Sequence, residues 1–371
     1  MILAQTALGL LWLAKSSLGC TPPNCLASET LEPRFFKDEA KSQRVLKRYG
    51  PFTAPGMSDH HGMKQFVSIM APPCNDCLVT HIQAGLEYPN GSYANVNTGM
   101  WLHHVVVVNM NRSSTVCPSN AEPMFASGNE RTAANICVNG TQKAGYHILP
   151  TDTTFALVAE LMNDKMEARD AVVTIDWEFV PASSASSSSF KHATPIWLDI
   201  DGICPGSSEV PVPDGGSSKV FSLSLSPPWT SSFSAEILWV MSHLHDGGET
   251  LQVTKNSSPV VCDSVARYGE TDAYVVTEVH DHNTPSEGGS GSGHHGGQHG
   301  VKRRAAAAPA HTTRMTHISS MSSCALLGKQ MNVGDEWTIT ANYNLTDHAP
   351  MTEGDGLAPV MGISIMYVVK G

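Results

Sequence analysis

Basic charge is scarce in this 371-residue chain. Lys and Arg number 23 against 34 Asp and Glu, a formal net charge of −11. No basic footprint offsets phosphate charge, which argues against a nucleic-acid partner; the one basic run, "VKRR" at 301–304, sits in a low-complexity segment. Long apolar runs are missing too. No segment approaches the ~20 residues a helix needs to span a bilayer, so no membrane span is expected. Helical periodicity is rare, and "KDEAKSQRVLKRYG" (37–50) is the best helix candidate. There is no Ser-His-Asp arrangement in a nucleophile context and no glycine motif for phosphate.

What is present begins with a short apolar stretch, "MILAQTALGLLWLAKSSLGC". It reads as a secretory signal over residues 1–19, with cleavage near Gly19. It lacks a basic residue ahead of the apolar run, and "LGC" also looks like a bacterial lipoprotein site. Five Asn-x-Ser/Thr triplets favour the secretory route, at Asn90, Asn111, Asn139, Asn256 and Asn344. A secreted, extracellular glycoprotein with nine cysteines is expected to carry disulfides. Cys117 with Cys137 would close a polar loop, and Cys262 with Cys324 would tie two segments across a low-complexity insert. Cys20, Cys25, Cys74, Cys77 and Cys204 are harder to pair. Cys74-Asn-Asp-Cys77 is a C-x-x-C, but without a strand–helix context redox catalysis is not the expectation.

Short β-rich runs alternate with Gly, Pro, Asn and Ser turns along the chain. Examples are "WLHHVVVVNM", "FALVAELM", "AVVTIDWEFV", "AEILWVMSHLH" and "MGISIMYVV". This patterning predicts an all-β fold of two tandem antiparallel β-sandwiches. An N-terminal segment (20–50) precedes the first sandwich (51–181), which carries a His-His pair. A Ser-rich linker (182–192) cannot build a core. The second sandwich (193–371) carries a His-x-His pair and holds a Gly-, Ser- and Ala-rich insert (283–311), read as a disordered loop.

The chemistry concentrates in histidine. His243 and His245 stand at i and i+2 on a strand, so both side chains project to one face with Cα atoms about 6.5 Å apart. Two imidazoles at that spacing can converge on one metal ion; the alternative is a pair on an exposed strand face. Asp246-Gly247-Gly248 reads as a turn into "ETLQVTK", completing a hairpin. His103 and His104 are adjacent, so a regular strand would split them between faces, and a bulge is needed to bring both to one ion. Met361 and Met366 lie in or beside an apolar strand, where packing is the usual role of Met. A thioether is nevertheless a soft ligand that selects copper over zinc. His60-His61, His280, His282, His294, His295 and His299 fall in loops or low-complexity sequence, where no fixed geometry is expected.

These pieces, in this order, resemble the copper type II ascorbate-dependent monooxygenases over roughly residues 60–371. "LHHVVVV" and "MSHLH" look like that family's two histidine motifs, and "VGDEWTITANYNL…VMGISIMYVV" like its last strands. Closer still is the likeness to secreted fungal and plant stress-upregulated nodulin-type proteins. The resemblance implies one copper at His103/His104 and another at His243/His245/Met361, facing across a water-filled cleft. It implies ascorbate as reductant and O2-dependent hydroxylation of a small-molecule or peptide substrate. Two departures stand out. The strand expected to give the first copper a third histidine, "FALVAELMNDK", has none; Glu160 or Met162 takes about that place, and His147 is another possibility. Alignment on "IMY" puts Val360 at the family's Met position, and a one-residue shift restores Met361. A non-catalytic copper carrier or sensor, or a structural stress or cell-surface glycoprotein, are the alternative readings.

Overall fold

The structure, a computed structural model, describes residues 25–184, 187–257, 259–280, 311–353 and 356–371. The signal segment and nearly all of the 283–311 insert, with His294, His295 and His299, lie outside the described residues.

The protein is all-β. Its α-helix among the described residues is a single turn, Lys37–Ala40. The predicted helix over 37–50 is instead mostly a strand, Gln43–Ala54, paired with Ala27–Leu31 and Arg169–Pro181. Pairing on both sides overrides a weak helical propensity, and Gly50-Pro51 near its end suits no helix interior.

Three sheets carry the architecture. A long sheet runs, neighbour to neighbour, Ala27–Leu31, Gln43–Ala54, Arg169–Pro181, Cys77–Glu87, Ala144–Ile148, Lys191–Asp199, Gly362–Lys370, Ala235–Leu244 and Cys324–Met331. It passes through both halves of the chain. The junction is a parallel pairing of Lys191–Ala193 with Ala144–Tyr146, so the end of the Ser-rich stretch is itself part of a strand. Over the first half lies a four-stranded sheet of Met63–Met70, Phe155–Asn163, Met100–Ser113 and Ala121–Gly128. Over the second lies a sheet built on Val220–Ser224, Glu336–Asn344, Gly248–Lys255, Val260–Tyr268 and Ile318–Met321.

Each overlying sheet closes a sandwich against the long one. In the first, Val105, Val107, Phe155, Leu157 and Leu161 meet Val173, Ile175 and Trp177. In the second, Leu251, Val253, Trp337 and Ile339 meet Ile196, Leu198 and Val240. The strand Gly362–Lys370 serves both: Ile363, Ile365 and Tyr367 enter the first core, Met366 and Val368 the second. Ala235–Leu244 does likewise, sending Leu238 and Met241 one way and Ile237 and Val240 the other. These are the near-continuous apolar runs expected of strands buried on both faces. The consequence for function is direct. His243, two residues on from Met241, faces the first half of the chain.

The turn at Asp246-Gly247-Gly248 does not make a hairpin. Gly247 has φ +92°, but Ala235–Leu244 belongs to the long sheet and Gly248–Lys255 to the second overlying sheet, so the turn steps between sheets. Cys262–Cys324 is bonded. Cys117 bonds Cys204 in the other half of the chain rather than Cys137; Cys137 is a buried free thiol. Cys74 and Cys77 are bonded to each other. No helix of the described residues is long and apolar enough to cross a membrane. Four of the glycosylation-motif asparagines, Asn90, Asn111, Asn139 and Asn256, are exposed, and Asn344 is half-buried.

Candidate metal centre

The two histidine pairs meet. On the first-half strand, pairing skips from Leu102↔Leu161 to His104↔Glu160, leaving His103 as an extra residue. This bulge turns both imidazoles to one place. From the second half, His243 is the last residue but one of the strand Ala235–Leu244, and His245 follows the strand into the turn. His104 Nε2 lies 2.7 Å from His245 Nε2. The His103 and His245 rings are 4.9 Å apart, and those of His104 and His243 5.3 Å. No water-filled cleft separates the pairs. His103, His104 and His245 each offer a ring nitrogen within 4.8 Å of the other two.

Every one of the four imidazoles is held by its other nitrogen. Glu160 Oε2 accepts from His103 Nδ1 at 3.0 Å and from His104 Nδ1 at 2.9 Å. Glu130 Oε1 accepts from His243 Nδ1 at 3.1 Å. The Pro359 carbonyl accepts from His245 Nδ1 at 2.7 Å. A carbonyl or carboxylate can only accept, so each of the four rings carries a proton on Nδ1 and turns Nε2 to the cluster. Burial, then the charge of His103, brings the His104 pKa down to about 3. Burial and the neighbouring imidazoles hold His245 well below its ordinary value. His104 and His245 are therefore neutral, and their Nε2 lone pairs are bare. Burial pushes the Glu160 carboxyl up, but the hydrogen bonds from His103 and His104 outweigh it and keep the carboxylate ionised.

These residues fit a metal ion. His103 Nε2 and His243 Nε2 are buried with no hydrogen-bond partner among the described residues. His104 Nε2 and His245 Nε2, both bare, face each other at a distance that a cation between them would resolve. Acceptors on the far nitrogens are the usual supports of metal-bound histidine.

The other sequence candidates divide. Met361 is buried and lines a small cavity with His104, His243 and Glu160, its carbonyl taking the Tyr343 hydroxyl at 2.6 Å. Val360 instead pairs by its backbone with Val210. Glu160 grips imidazoles from behind, and also lies with Glu209 in reach of His104. Met162 lines a different cavity, beside Trp101 and His317. His147 is elsewhere, bonded to Asp76 at 2.9 Å and packed on His192. Met366 is fully buried in the second core.

Sequence reading missed Glu130, Asp246 as more than a turn residue, and His317. Asp246 accepts from His317 Nδ1 at 2.6 Å and from the Ile318 amide at 2.9 Å. The available signal was weak: Glu130 is an acid just past a strand, and Asp246 directly follows His245.

A buried imidazole cluster that bridges two sandwiches has the make-up of a candidate metal centre. The relatives narrow this. "Probable copper-dependent oxygenase M1" of Phoma sp. is 30% identical over 347 residues, covering 93% of this chain and 76% of its own. "Probable copper-dependent oxygenase clz3" of Cochliobolus lunatus is 31% identical over 293 residues, 78% of this chain and 79% of its own. The chain belongs to the family of these copper-dependent oxygenases. No protein-family model matches it. Among solved structures, recombinant peptide: N-glycanase F shares 9% identity over 88% of this chain and 96% of its own at TM-score 0.36, a likeness too low to bear on the chemistry.

Proposed function

We propose that the chain is a secreted copper-dependent oxygenase that hydroxylates a small organic substrate, with copper held by His103, His104 and His245 and with His243 and Met361 beside it. The observation that carries this reading is the pair of bare Nε2 atoms of His104 and His245 at 2.7 Å, each fixed by a hydrogen bond on the opposite nitrogen. Imidazole is a ligand common to several metals, and a thioether adjoining it favours copper.

Bound copper supplies the one-electron chemistry that activates dioxygen. The overall change converts a C–H bond to C–OH, releases the second oxygen atom as water, and takes two electrons and two protons from a reductant such as ascorbate. The protein's part is to hold and to shield. Glu160, Glu130 and the Pro359 carbonyl keep the lone pairs directed before metal arrives, which limits reorganisation. Burial of the four rings keeps bulk water from the reacting centre.

Metal analysis of the purified secreted protein, before and after copper loading, tests the binding. Ascorbate-driven oxygen consumption tests the reaction. Copper retained by the wild type but not by His104→Ala or His245→Ala, with oxygen uptake that requires it, is the expected result. Copper without oxygen uptake would make the protein a carrier or sensor. Absence of copper would leave a structural sandwich.

A further inference from the structure

Beyond the bulge at His103, the pairing of Met100–Ser113 with Phe155–Asn163 runs without interruption, so side chains alternate strictly between the faces of the four-stranded sheet. Val105 and Val107 enter the first core. His104, Val106 and Val108 take the other face and are half-buried. The neighbouring strands repeat the pattern in register. Gln65, Glu160 and His104 form one row across the sheet; Val67, Val158 and Val106 form the next; Ile69, Ala156 and Val108 form the third. The first row ends at the metal centre, and the two beyond it are wholly aliphatic. On the ordinary strand rise Val108 stands about 13 Å from His104.

The second half of the chain turns this face into a groove. A cavity of about 100 Å³ opens on His104, His243, Glu160 and Met361. A larger space of about 310 Å³ lies over Val106, Val108 and Val158, lined from the second half by Trp197, Ile203 and Pro205. Gln65, Val106, Val158, Trp197, Ser207 and Ser208 border both, so the two are continuous. Among the described residues no charged side chain lines the larger space, although 15% of the chain is charged. Glu160, in the smaller one, is engaged by two imidazoles. Past the groove the same face reaches solvent through Val67 and Ile69, which are 67% and 52% exposed. A contiguous apolar face left open in this way marks a binding surface. The methionine-lined cavity beside Trp101 is roomier, at about 430 Å³, but none of the four cluster imidazoles lines it.

We infer that this groove is the substrate site, and that its ligand class is an uncharged, elongated apolar molecule, an aliphatic chain in the simplest case. The chain lies over Val108, Val106 and Val158 with one end at His104 and Met361. A lining without charge offers no partner to an ionised ligand, whose desolvation would go uncompensated. Rows of branched aliphatic side chains along a strand give contact over the length of a chain, where a compact ligand would use only a part. The inference rests on the copper-oxygenase reading for its consequence, that hydroxylation falls near one end of the chain; the binding it asserts is independent of metal.

The test titrates the full chain, with and without copper, with octan-1-ol and with butan-1-ol by calorimetry. Each fully buried methylene is worth about fourfold in affinity. The groove is open on one side, so octanol is expected to bind about tenfold or more tightly than butanol. Val106→Asp, which sets a charge on the groove floor, is expected to weaken octanol by about tenfold or more, while Met315→Glu, in the methionine-lined cavity, is expected to leave it unchanged. In the copper-loaded protein, paramagnetic broadening of the octanol proton resonances is expected to be strongest at one end of the chain. Should Val106→Asp fail to fold, Ser207→Trp, which fills the groove from the second half, replaces it. Equal affinities for the two alcohols, octanol binding unchanged in the groove variant, a loss confined to Met315→Glu, or bound octanol unbroadened by copper would overturn the groove assignment. Octanol binding by a chain that takes up no copper would sink the oxygenase reading alone; copper uptake without octanol binding would sink the groove alone.

Discussion

Glu160 receives the Nδ1 proton of His104 at 2.9 Å, across a pair of neighbouring strands in which the two residues are directly opposite. The same oxygen also takes the proton of His103. One carboxylate thus sets the tautomer of two imidazoles. Supports of this kind typically change metal affinity 10–100-fold when removed. Glu160→Ala is therefore expected to weaken copper binding by about that factor, measured by competition with a chelator. Glu160→Gln, whose amide oxygen still accepts, is expected to fall between the two. An unchanged affinity in the alanine variant would mean that the carboxylate does not orient the rings.

Gly128 makes the close approach of the two halves possible. A Cβ there would stand 2.4 Å from His243 Cε1, 2.8 Å from Glu130 Oε2 and 2.9 Å from the His103 carbonyl oxygen. Gly128→Ala must displace the His243 ring or the backbone of the His-His strand. The expected result is a loss of about 1–3 kcal/mol in stability, as for other overpacked sites, together with weaker copper binding. Denaturant melts with and without copper separate the two effects. A variant as stable as the wild type, with unaltered copper affinity, would show that the contact yields freely.

The residue pattern carried the fold class and the identity of the histidines further than it carried their arrangement. Period-two alternation in runs such as "FALVAELM" reports a half-buried strand from local sequence alone. That "AEILWVM" and "MGISIMYVV" are apolar on both faces was also visible. Which core each face enters is a property of the assembled sheet, and that alone brings His243 to His104. The bulge at His103 is legible only as a need, since adjacent side chains on a regular strand diverge. Glu130 and His317 act through contacts more than 70 residues away in sequence, and no local period encodes them. Cys117 was misassigned for the same reason: its partner, Cys204, is 87 residues distant in the other half of the chain.

That disulfide gives a third prediction. Cys117–Cys204 closes a long loop between the halves, and Cys117 lies with Trp197, Ile203, Ser207 and Ser208 around a groove beside the cluster cavity. Bridges over loops of this length contribute about 2–4 kcal/mol, largely by restricting the unfolded chain. The paired change Cys117→Ser with Cys204→Ser is expected to cost that much in urea unfolding. The imidazole supports are untouched by it, so copper stoichiometry is expected to hold. A loss of copper without a loss of stability would instead place the bridge in the site.

Lys47 gives a prediction in pH. Its side chain is buried on the inner face of Gln43–Ala54, at 3% exposure, and donates to the Pro72 carbonyl at 2.9 Å. Burial lowers its pKa from 10.5 to about 8. Between those values the unfolded chain holds a proton that the folded one has released, so stability gained from this group rises with pH across the window. Below about 8 the folded protein bears the full penalty of a buried ammonium; above about 10.5 the penalty is gone. Its size is bounded by the shift at up to about 3 kcal/mol. Lys47→Met removes the titrating group but leaves the Pro72 carbonyl without its donor, which costs about 1 kcal/mol. The difference in unfolding free energy, variant minus wild type, is therefore expected to be largest and positive near pH 7 and to shrink, then reverse, towards pH 10.5. Other lysines and tyrosines titrate alike in both proteins and cancel in that difference. A difference that stays flat from pH 7 to pH 10.5 would mean that the Lys47 ammonium reaches solvent.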